Sequence, residues 1–520
     1  MDIARREDIV TPYLLERNAA EAADGLMATF EDSSTWTYAQ ALSVARRAAN
    51  ALYDQGVRQG DHVGVLLPNG KEFLTAWLGI AALGAVFVPM NLSFKGTMLG
   101  SLVAKTMPKV VVTIEPFAST LGAVSDVPLI APTQLAGGAD RAVPRERDIE
   151  VWDTHHIMLT SGTTGPSKAA RCSHLHFHNL GLYGTVFRGL DESDVFLIDL
   201  PLYHTAALGM VGGCLSTRTP ISVRSGPDLN RYWETMKETG ATTAVLISSM
   251  VGFLLGRAPS PTDTDHRIRF LIAIPLPNDL EQFQKRFNIP ELVTAYGGTE
   301  PCTVMTNRVG EPLIPNSCGS LIPGYHARIV DEHDFPVALG AVGEMVLRHD
   351  HPWAISTEYV GDPEATAQAW RNGWYHTGDL FRQDESGHYY FVDRSKDAVR
   401  RRGVNISCFE IEQAVLKCPG VQEVAGVAHP SEVGADDEIK VWIVPEQGTT
   451  VDFVGLVKRL HQNVPHFMVP RYYELIDALP KNPTTKVQKF VLRDKGNSES
   501  TWDVERDGGL RVTSRGLIEI

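Results

Sequence analysis

The sequence predicts an α/β fold built on a doubly wound, mostly parallel sheet, and three observations carry that expectation. Short apolar segments alternate with helical stretches of a dozen or more residues, the pattern of strands joined by crossover helices. The 520 residues exceed what one hydrophobic core accommodates, so two to four compact units are expected. With 43% hydrophobic and 21% charged residues, the composition is that of a globular protein rather than a disordered one.

In chain order, small and apolar residues recur at helical spacing from Thr35 to Asp54, and Asp61 to Asn69 reads as a strand ending in a turn. Phe73 to Met90 is nearly free of polar residues and approaches the length of a membrane span. Gly84 and Pro89 interrupt it, however, and Ala85-Val86-Phe87-Val88 is strand-like, so a buried helix running into a core strand is expected, and no membrane partner. Lys109 to Thr113, Ile157 to Leu159 and Asp194 to Ile198 are further buried strands, and a helix is expected from about His174. Near the C-terminus Glu410 to Leu416 opens a helix and Val441 to Val444 is a strand, which suits a small α+β unit of about 100 residues.

The net charge of -14 argues against nucleic acid as a partner. Six cysteines without a Cys-x-x-Cys pair, and an N-terminus without an apolar leader, suggest reduced thiols, no structural zinc and a cytoplasmic location. The C-terminal Ile518-Glu519-Ile520 is no peroxisomal signal.

The stretch with the most chemistry is Thr160-Ser161-Gly162-Thr163-Thr164-Gly165-Pro166-Ser167-Lys168-Ala169, placed directly after a buried strand. Its backbone N–H groups and hydroxyls can turn inward around phosphate oxygens while the Lys168 ammonium neutralises charge. Ser167 and Ala169 flank that lysine where a Walker loop has glycine and Ser/Thr, so the loop is not of that type. Taken alone it could equally be a Ser/Thr/Gly surface turn.

The whole string resembles the phosphate-binding signature of the acyl-adenylate-forming superfamily, and later motifs extend the likeness from about residue 36 to 489. Its character is nearest to carnitine-type and bile-acid-type CoA ligases. Leu200-Pro201-Leu202-Tyr203-His204 is similar to the element that contacts the substrate carboxylate and gates the pantetheine tunnel, which implies that role for His204. Ala295-Tyr296-Gly297-Gly298-Thr299-Glu300 matches the Tyr-Gly-x-Thr-Glu element. There Tyr296 can stack on adenine, Gly297 lets backbone approach, Thr299 can bond the α-phosphate and Glu300 can hold Mg²⁺. Gly343-Glu344 and Tyr359 with Pro363-Glu364-Ala365-Thr366 continue the resemblance toward Trp374 to Leu380, in which Asp379 is placed to take both ribose hydroxyls.

The resemblance further implies a large N-terminal domain (1–393) of mixed and parallel sheets sandwiched by helices, with a small barrel-like subdomain. A hinge (394–396), a mobile α+β lid (397–495) and a polar, mobile tail (496–520) follow. Arg394 is expected on ribose or phosphate, and Lys396 as the residue about which the lid alternates between two faces. Arg400, Arg401 and Gly403 are expected at the coenzyme A phosphates, although a run of arginines is also what a solvated face looks like. Lys486 is expected to bridge carboxylate and α-phosphate oxygens during adenylation. Small or apolar positions, Ala206, Ala207, Gly209, Ser249, Ile274, Leu276 and Gly298, are expected to line a pocket for a bulky hydrophobic acid.

The activity so implied is AMP-forming acyl-CoA ligation with ATP, coenzyme A and Mg²⁺: a carboxylic acid becomes an acyl-adenylate, whose AMP is then displaced by the CoA thiol. Three departures from the family pattern, Ala169, Thr485 and Pro275, all fall on the first half-reaction. Thioesterification is therefore expected intact and adenylation impaired, in which case a companion adenylating enzyme supplies the adenylate. Loading of a carrier protein's phosphopantetheine, or a non-catalytic nucleotide-binding scaffold, are the alternatives. As an assembly, a monomer or homodimer is expected.

Overall fold

The computed structural model describes residues 5–520 except 161–167, 275, 277–279, 308–309, 312, 316, 395–397, 402–403, 432–436, 481–486 and 488. At 248–249, 392–394, 398, 400, 404–405, 407, 409–410, 413 and 490 the backbone alone is described. The chain divides into two compact units, one of residues 1–92, 103–159 and 169–393, the other of 93–102, 160–168 and 394–520.

The first unit contains two seven-stranded sheets. One runs in the order Leu292–Val293, Leu271–Ile274, Thr243–Ile247, Phe196–Ile198, Ile221–Val223, Leu26–Thr29 and Thr35–Thr37. The other runs Glu358–Tyr359, Lys168–Ser173, Thr154–Thr160, Val86–Pro89, His62–Leu66, Val110–Thr113 and Leu129–Ile130. Their central pairings are parallel, with Val63 opposite both Phe87 and Val110, while the outer strands Thr35–Thr37 and Glu358–Tyr359 are antiparallel. This is the mostly parallel, helix-crossed arrangement the sequence predicts. One apolar core runs through strands of both sheets and the helices between them.

The helices start and stop where local chemistry dictates. Thr37 and Gln40 form a reciprocal capping box at the start of Tyr38–Asp54, satisfying two otherwise orphaned N–H groups. The nearly all-apolar helix Lys71–Leu83 ends at Gly84, whose φ of 74° is the left-handed cap conformation that glycine adopts without strain. Among the described residues no helix is long and apolar enough to cross a membrane.

The helices His174–Leu182 and Thr205–Thr217 approach so closely that a Cβ at Gly181 would lie 2.2 Å from the Gly209 carbonyl oxygen. Gly209 faces Leu180 in the same contact. Its small size therefore serves helix packing.

Two antiparallel sheets complete this unit and share a second core around Met305, Leu347 and Phe381. They comprise Ala295–Gly298, Cys302–Thr306 and Ser320–Leu321, and then Tyr325–Val330, Gly343–His349, Tyr375–Gln383 and Tyr389–Arg394. They correspond to the small barrel-like part the resemblance implies.

The second unit is α+β: the hairpin Ala398–Arg401 with Val404–Ser407, the helices Cys408–Leu416 and Phe453–Asn463, and a four-stranded sheet. That sheet is ordered Val421–Pro430, Asp437–Pro445, Tyr472–Leu475 and Trp502–Asp503. Residues 496–520, expected as a polar mobile tail, are instead built into the fold. Trp502 packs against Phe453, Val504 and Leu510 are buried in the unit's core, and Leu510–Thr513 pairs with Gly516–Glu519. Burial of the Lys440 ammonium explains part of this, since its charge is met by Glu474 and by Gly496 and Thr501 from the segment itself.

Gly181→Ala should lower stability by about 1 to 3 kcal/mol, although alanine in a helix ordinarily gains roughly 0.5 to 1. A fall in the urea unfolding midpoint checks the sign, and a rise would contradict the close helix approach.

Candidate active site

The Tyr-Gly-Gly-Thr-Glu element is the turn of a hairpin. Ala295–Gly298 pairs with Cys302–Thr306, so Thr299, Glu300 and Pro301 stand at the connection. A Cβ at Gly297 would lie 2.2 Å from the Cys302 carbonyl oxygen, which only glycine avoids. Gly297 and Gly298 are exposed while Thr299 and Glu300 are half-buried. A strip of bare backbone thus lies beside a hydroxyl and a carboxylate.

Two tyrosines orient the two carboxylates. Tyr296 Oη donates to Asp379 Oδ2 at 2.7 Å, and Tyr359 Oη donates to Glu300 Oε1 at 2.8 Å. Asp379 is only 8% exposed, and its backbone is fixed on both sides. Its N–H donates to Thr377 Oγ1 at 3.1 Å, and the preceding Gly378, at φ 71°, donates its N–H to Glu344 Oε1 at 2.9 Å. Glu300 is held through its backbone too, its carbonyl accepting from the Ser356 N–H at 2.8 Å. The Tyr296 ring packs edge-on against Phe381, centroids 4.7 Å apart. Burial, and then the Glu300 charge, push the Tyr359 and Tyr375 hydroxyls far above the usual phenol range, so both keep their protons and can donate.

Behind the turn lies a wall of imidazoles. A strand, Lys168–Ser173, precedes the helix His174–Leu182 that the sequence leads one to expect directly. Ala169 is buried in that strand, and its carbonyl accepts from the Val360 N–H at 2.8 Å. His155, His156, His174 and His176 are buried together with Phe177, on which His155 stacks at 3.9 Å. Desolvation lowers His174 and His176 to about 4, and holds His155 and His156 well below the usual imidazole range. Cys172 Sγ contacts the Thr299 carbonyl at 3.8 Å, which joins this wall to the turn.

The structure therefore brings Tyr296, Gly297, Gly298, Thr299, Glu300 and Asp379 together, as the resemblance implies. It adds Tyr359, Glu344, Phe381 and Cys172 to them. Tyr359 and Glu344 already stood in quoted motifs, but only the fold reveals that each meets a partner, Glu300 or Gly378, more than 30 residues away in the chain. Thr160 closes one strand and Lys168 opens the next, both half-buried.

His204 is the cap residue of Thr205–Thr217, its ring 4.9 Å from that of Tyr203 and lowered to about 4 by the surrounding protein. Next to it Ala206 is exposed and Ala207 buried, while Ile274 and Leu276 are half-buried at the end of another strand. Arg394 ends the strand Tyr389–Arg394, Arg400 pairs with Asn405 and Ser249 lies at the start of the helix Ser248–Gly256, all with backbone alone described. Arg401, expected at the coenzyme A phosphates, is engaged within the protein. Its buried guanidinium meets Glu438 at 2.6 Å and the carbonyls of Phe467 and Val469, because a desolvated cation takes every acceptor nearby. Ser161, Gly162, Thr163, Thr164, Pro275, Lys396, Gly403, Thr485 and Lys486 lie outside the described residues.

A family model described as AMP-binding enzyme matches residues 15–357, and one described as AMP-binding enzyme C-terminal domain matches residues 410–486. The chain is 30% identical over 506 residues to a crotonobetaine/carnitine–CoA ligase of Proteus mirabilis strain HI4320, covering 91% of this chain and 95% of that one. A ligase of the same name from Salmonella typhimurium strain LT2 is 28% identical over 501 residues, with the same coverage. Among solved structures, a variant o-succinylbenzoate CoA synthetase from Bacillus subtilis superposes with a TM-score of 0.83 at 22% identity, over 92% of this chain and 98% of that one. A fatty acyl CoA synthetase of Mycobacterium tuberculosis superposes at 0.67 with 26% identity, over 95% and 99%.

The imidazole wall sets a pH dependence. A histidine whose folded pKa is depressed binds its proton more readily once unfolded, so the stability it contributes is full above about 6.5 and lost as pH falls toward 4. The urea midpoint should drop between pH 7.5 and 5, reflecting a loss of roughly 2 kcal/mol of unfolding free energy at pH 5 for each of His174 and His176. Asp199, raised to about 7 by burial, acts in the opposite sense as a single group. A midpoint flat over this range would contradict the buried, neutral wall.

Proposed function

The chain belongs to the AMP-binding enzyme family, and on that premise we propose that it is an AMP-forming acid–thiol ligase which makes the CoA thioester of a bulky hydrophobic carboxylic acid. The observation that carries this reading is the paired orientation of Asp379 by Tyr296 and of Glu300 by Tyr359 around one glycine-lined turn. A carboxylate held by a hydroxyl and fixed backbone is preorganised for a bidentate task, which suits Asp379 to the two ribose hydroxyls of ATP. The hard, oxygen-only donor Glu300 suits Mg²⁺, which supplies charge neutralisation at the phosphates when bound. Thr299, beside the exposed glycine backbone, suits the α-phosphate.

In the first half-reaction an oxygen of the substrate carboxylate attacks the α-phosphorus, the bond to the bridging oxygen breaks, and diphosphate leaves. In the second, the CoA sulfur attacks the acyl carbon, the thiol proton is lost and AMP departs. Lys486 serves the first step by neutralising the carboxylate and α-phosphate oxygens. His204, neutral in its surroundings, serves the acid's carboxyl end as a hydrogen-bonding group and stands with Tyr203 where the pantetheine arm arrives. Arg394 and Arg400 are candidates for ribose and CoA phosphates, and Arg401 is a weaker one because Glu438 already meets its charge. Ala206, Ile274 and Leu276 are uncharged and partly open, which favours an apolar acid.

Within this reading adenylation of the free acid is the slower half-reaction, and a companion adenylating enzyme can supply the adenylate. Thr485 and Pro275 are the departures that would slow it. Ala169 does not contribute, being accommodated in a strand with an ordinary extended backbone.

Incubating the protein with a panel of acyl-adenylates plus CoA, and in parallel with the free acids plus ATP, CoA and Mg²⁺, separates these statements when thioester is followed by mass. Thioester formed about 100-fold faster from an adenylate is the expected outcome. Equal rates would remove the impairment and leave the ligase, and no thioester from either set would remove the ligase.

Tyr359→Phe deletes only the hydroxyl that orients Glu300. It should lower the thioester-forming rate from acid and ATP by about 10- to 100-fold, the value of a hydrogen bond to a charged group. The apparent Mg²⁺ requirement should rise with it. Unchanged Mg²⁺ dependence in Tyr359→Phe would separate Tyr359 from the metal's ligand.

A further inference from the structure

We propose that His156, Cys172 and His176 form a buried transition-metal site of the zinc class, set behind the turn that carries Glu300. The ring nitrogens and the sulfur of these residues lie within 4.8 Å of one another. All three residues are fully buried. They come from successive elements, the strands Thr154–Thr160 and Lys168–Ser173 and the first turn of the helix His174–Leu182, so the fold rather than a sequence motif assembles them. That is why the absence of a Cys-x-x-Cys pair gives no hint of it.

Two features point to an occupant. His156 Nε2 is buried without a hydrogen-bond partner, and an orphaned buried polar atom ordinarily costs about 1 to 3 kcal/mol unless something satisfies it. Two imidazoles and a thiolate are also the donor set that borderline-soft divalent ions prefer over Mg²⁺ or Ca²⁺. The carbonyl oxygen of Thr299, 3.8 Å from Cys172 Sγ, is in reach as a fourth donor. Tetrahedral zinc places its donors about 3.3 to 3.7 Å apart, so the three side chains close on the ion by small rotations.

The second shell supplies the tautomer. His155 Nδ1 and His156 Nδ1 are 3.0 Å apart, and a ligating His156 keeps its proton on Nδ1 and donates it to His155, the usual outer-shell arrangement. Without metal, the Trp77 Nε1–H directed at His155 Nε2 at 3.3 Å favours the reverse order of protons. Loading therefore moves the His156 ring proton from Nε2 to Nδ1 and the His155 ring proton from Nδ1 to Nε2, gives up the Trp77 hydrogen bond, and releases one proton, that of the Cys172 thiol. The ion would join two strands, one helix and the Glu300 turn as a structural cross-link. This inference stands independently of the proposed ligase activity.

The test uses the full-length chain, without a polyhistidine tag, purified from cells grown with added Zn²⁺ or with added Co²⁺. Elemental analysis should give about one equivalent of either metal, and the Co²⁺ form should show a thiolate-to-cobalt charge-transfer band in the near ultraviolet. Cys172→Ser should lose that band, and His176→Asn should lower the metal content about tenfold or more. Less than about a tenth of an equivalent in the unaltered chain from both media, or a band that persists in Cys172→Ser, would overturn the proposal. The unaltered chain's own spectrum decides the matter if a variant does not fold.

Discussion

A carboxylate taken out of water must be given donors, and at this site two phenols give them. Tyr296 holds Asp379 and Tyr359 holds Glu300, each across a large separation in sequence. These two hydrogen bonds tie the hairpin turn to the strand Tyr375–Gln383 on one side and to the short strand Glu358–Tyr359 on the other. The latter pairs with Lys168–Ser173, Glu358 opposite Arg171 and Tyr359 opposite Ala170, so the turn is registered against the strand that follows the predicted phosphate loop. Loss of either hydroxyl would leave a carboxylate that is still buried but no longer aimed. That is a larger penalty than the hydrogen bond's own net worth.

Much of the first unit was legible because buried parallel strands and the helices between them have a strong and simple signature. The Phe73 to Pro89 stretch illustrates it: Gly84 alone stops the helix, and the β-branched and aromatic run after it has no alternative to a strand. The motif glycines were legible for the same reason, since Gly297 is required by an atom-to-atom approach that any side chain would block. The imidazole wall was not legible. His155 and His156, and His174 and His176, stand among neighbours that carry no motif, and their burial depends on a strand and a helix meeting.

The second unit shows where composition misleads. Residues 496–520 are polar and glycine-rich, which reads as a tail, yet they contribute a strand, a hairpin and acceptors for a buried lysine. A single desolvated ammonium is enough to recruit such a segment, because the alternative is an unpaired charge. Arg401 follows the same logic. In a run of three arginines, solvent exposure is the default reading, but Arg401 on the hairpin edge is buried and committed to Glu438.

Electrostatics then limits which groups can do the chemistry. The proposed substrates bring a triphosphate and a carboxylate to a chain of net charge -14, beside two carboxylates that the tyrosines hold in place. The imidazoles behind the turn add no compensating charge, since burial keeps His174 and His176 neutral well below physiological pH. In the proposed reaction neutralisation would therefore fall to Lys168, Lys486 and the divalent cation that Glu300 would hold. A first half-reaction that depends on three separate cations arriving in register is the one most easily slowed by an altered loop. The proposed second half-reaction, in which a thiol displaces AMP, asks for fewer of them.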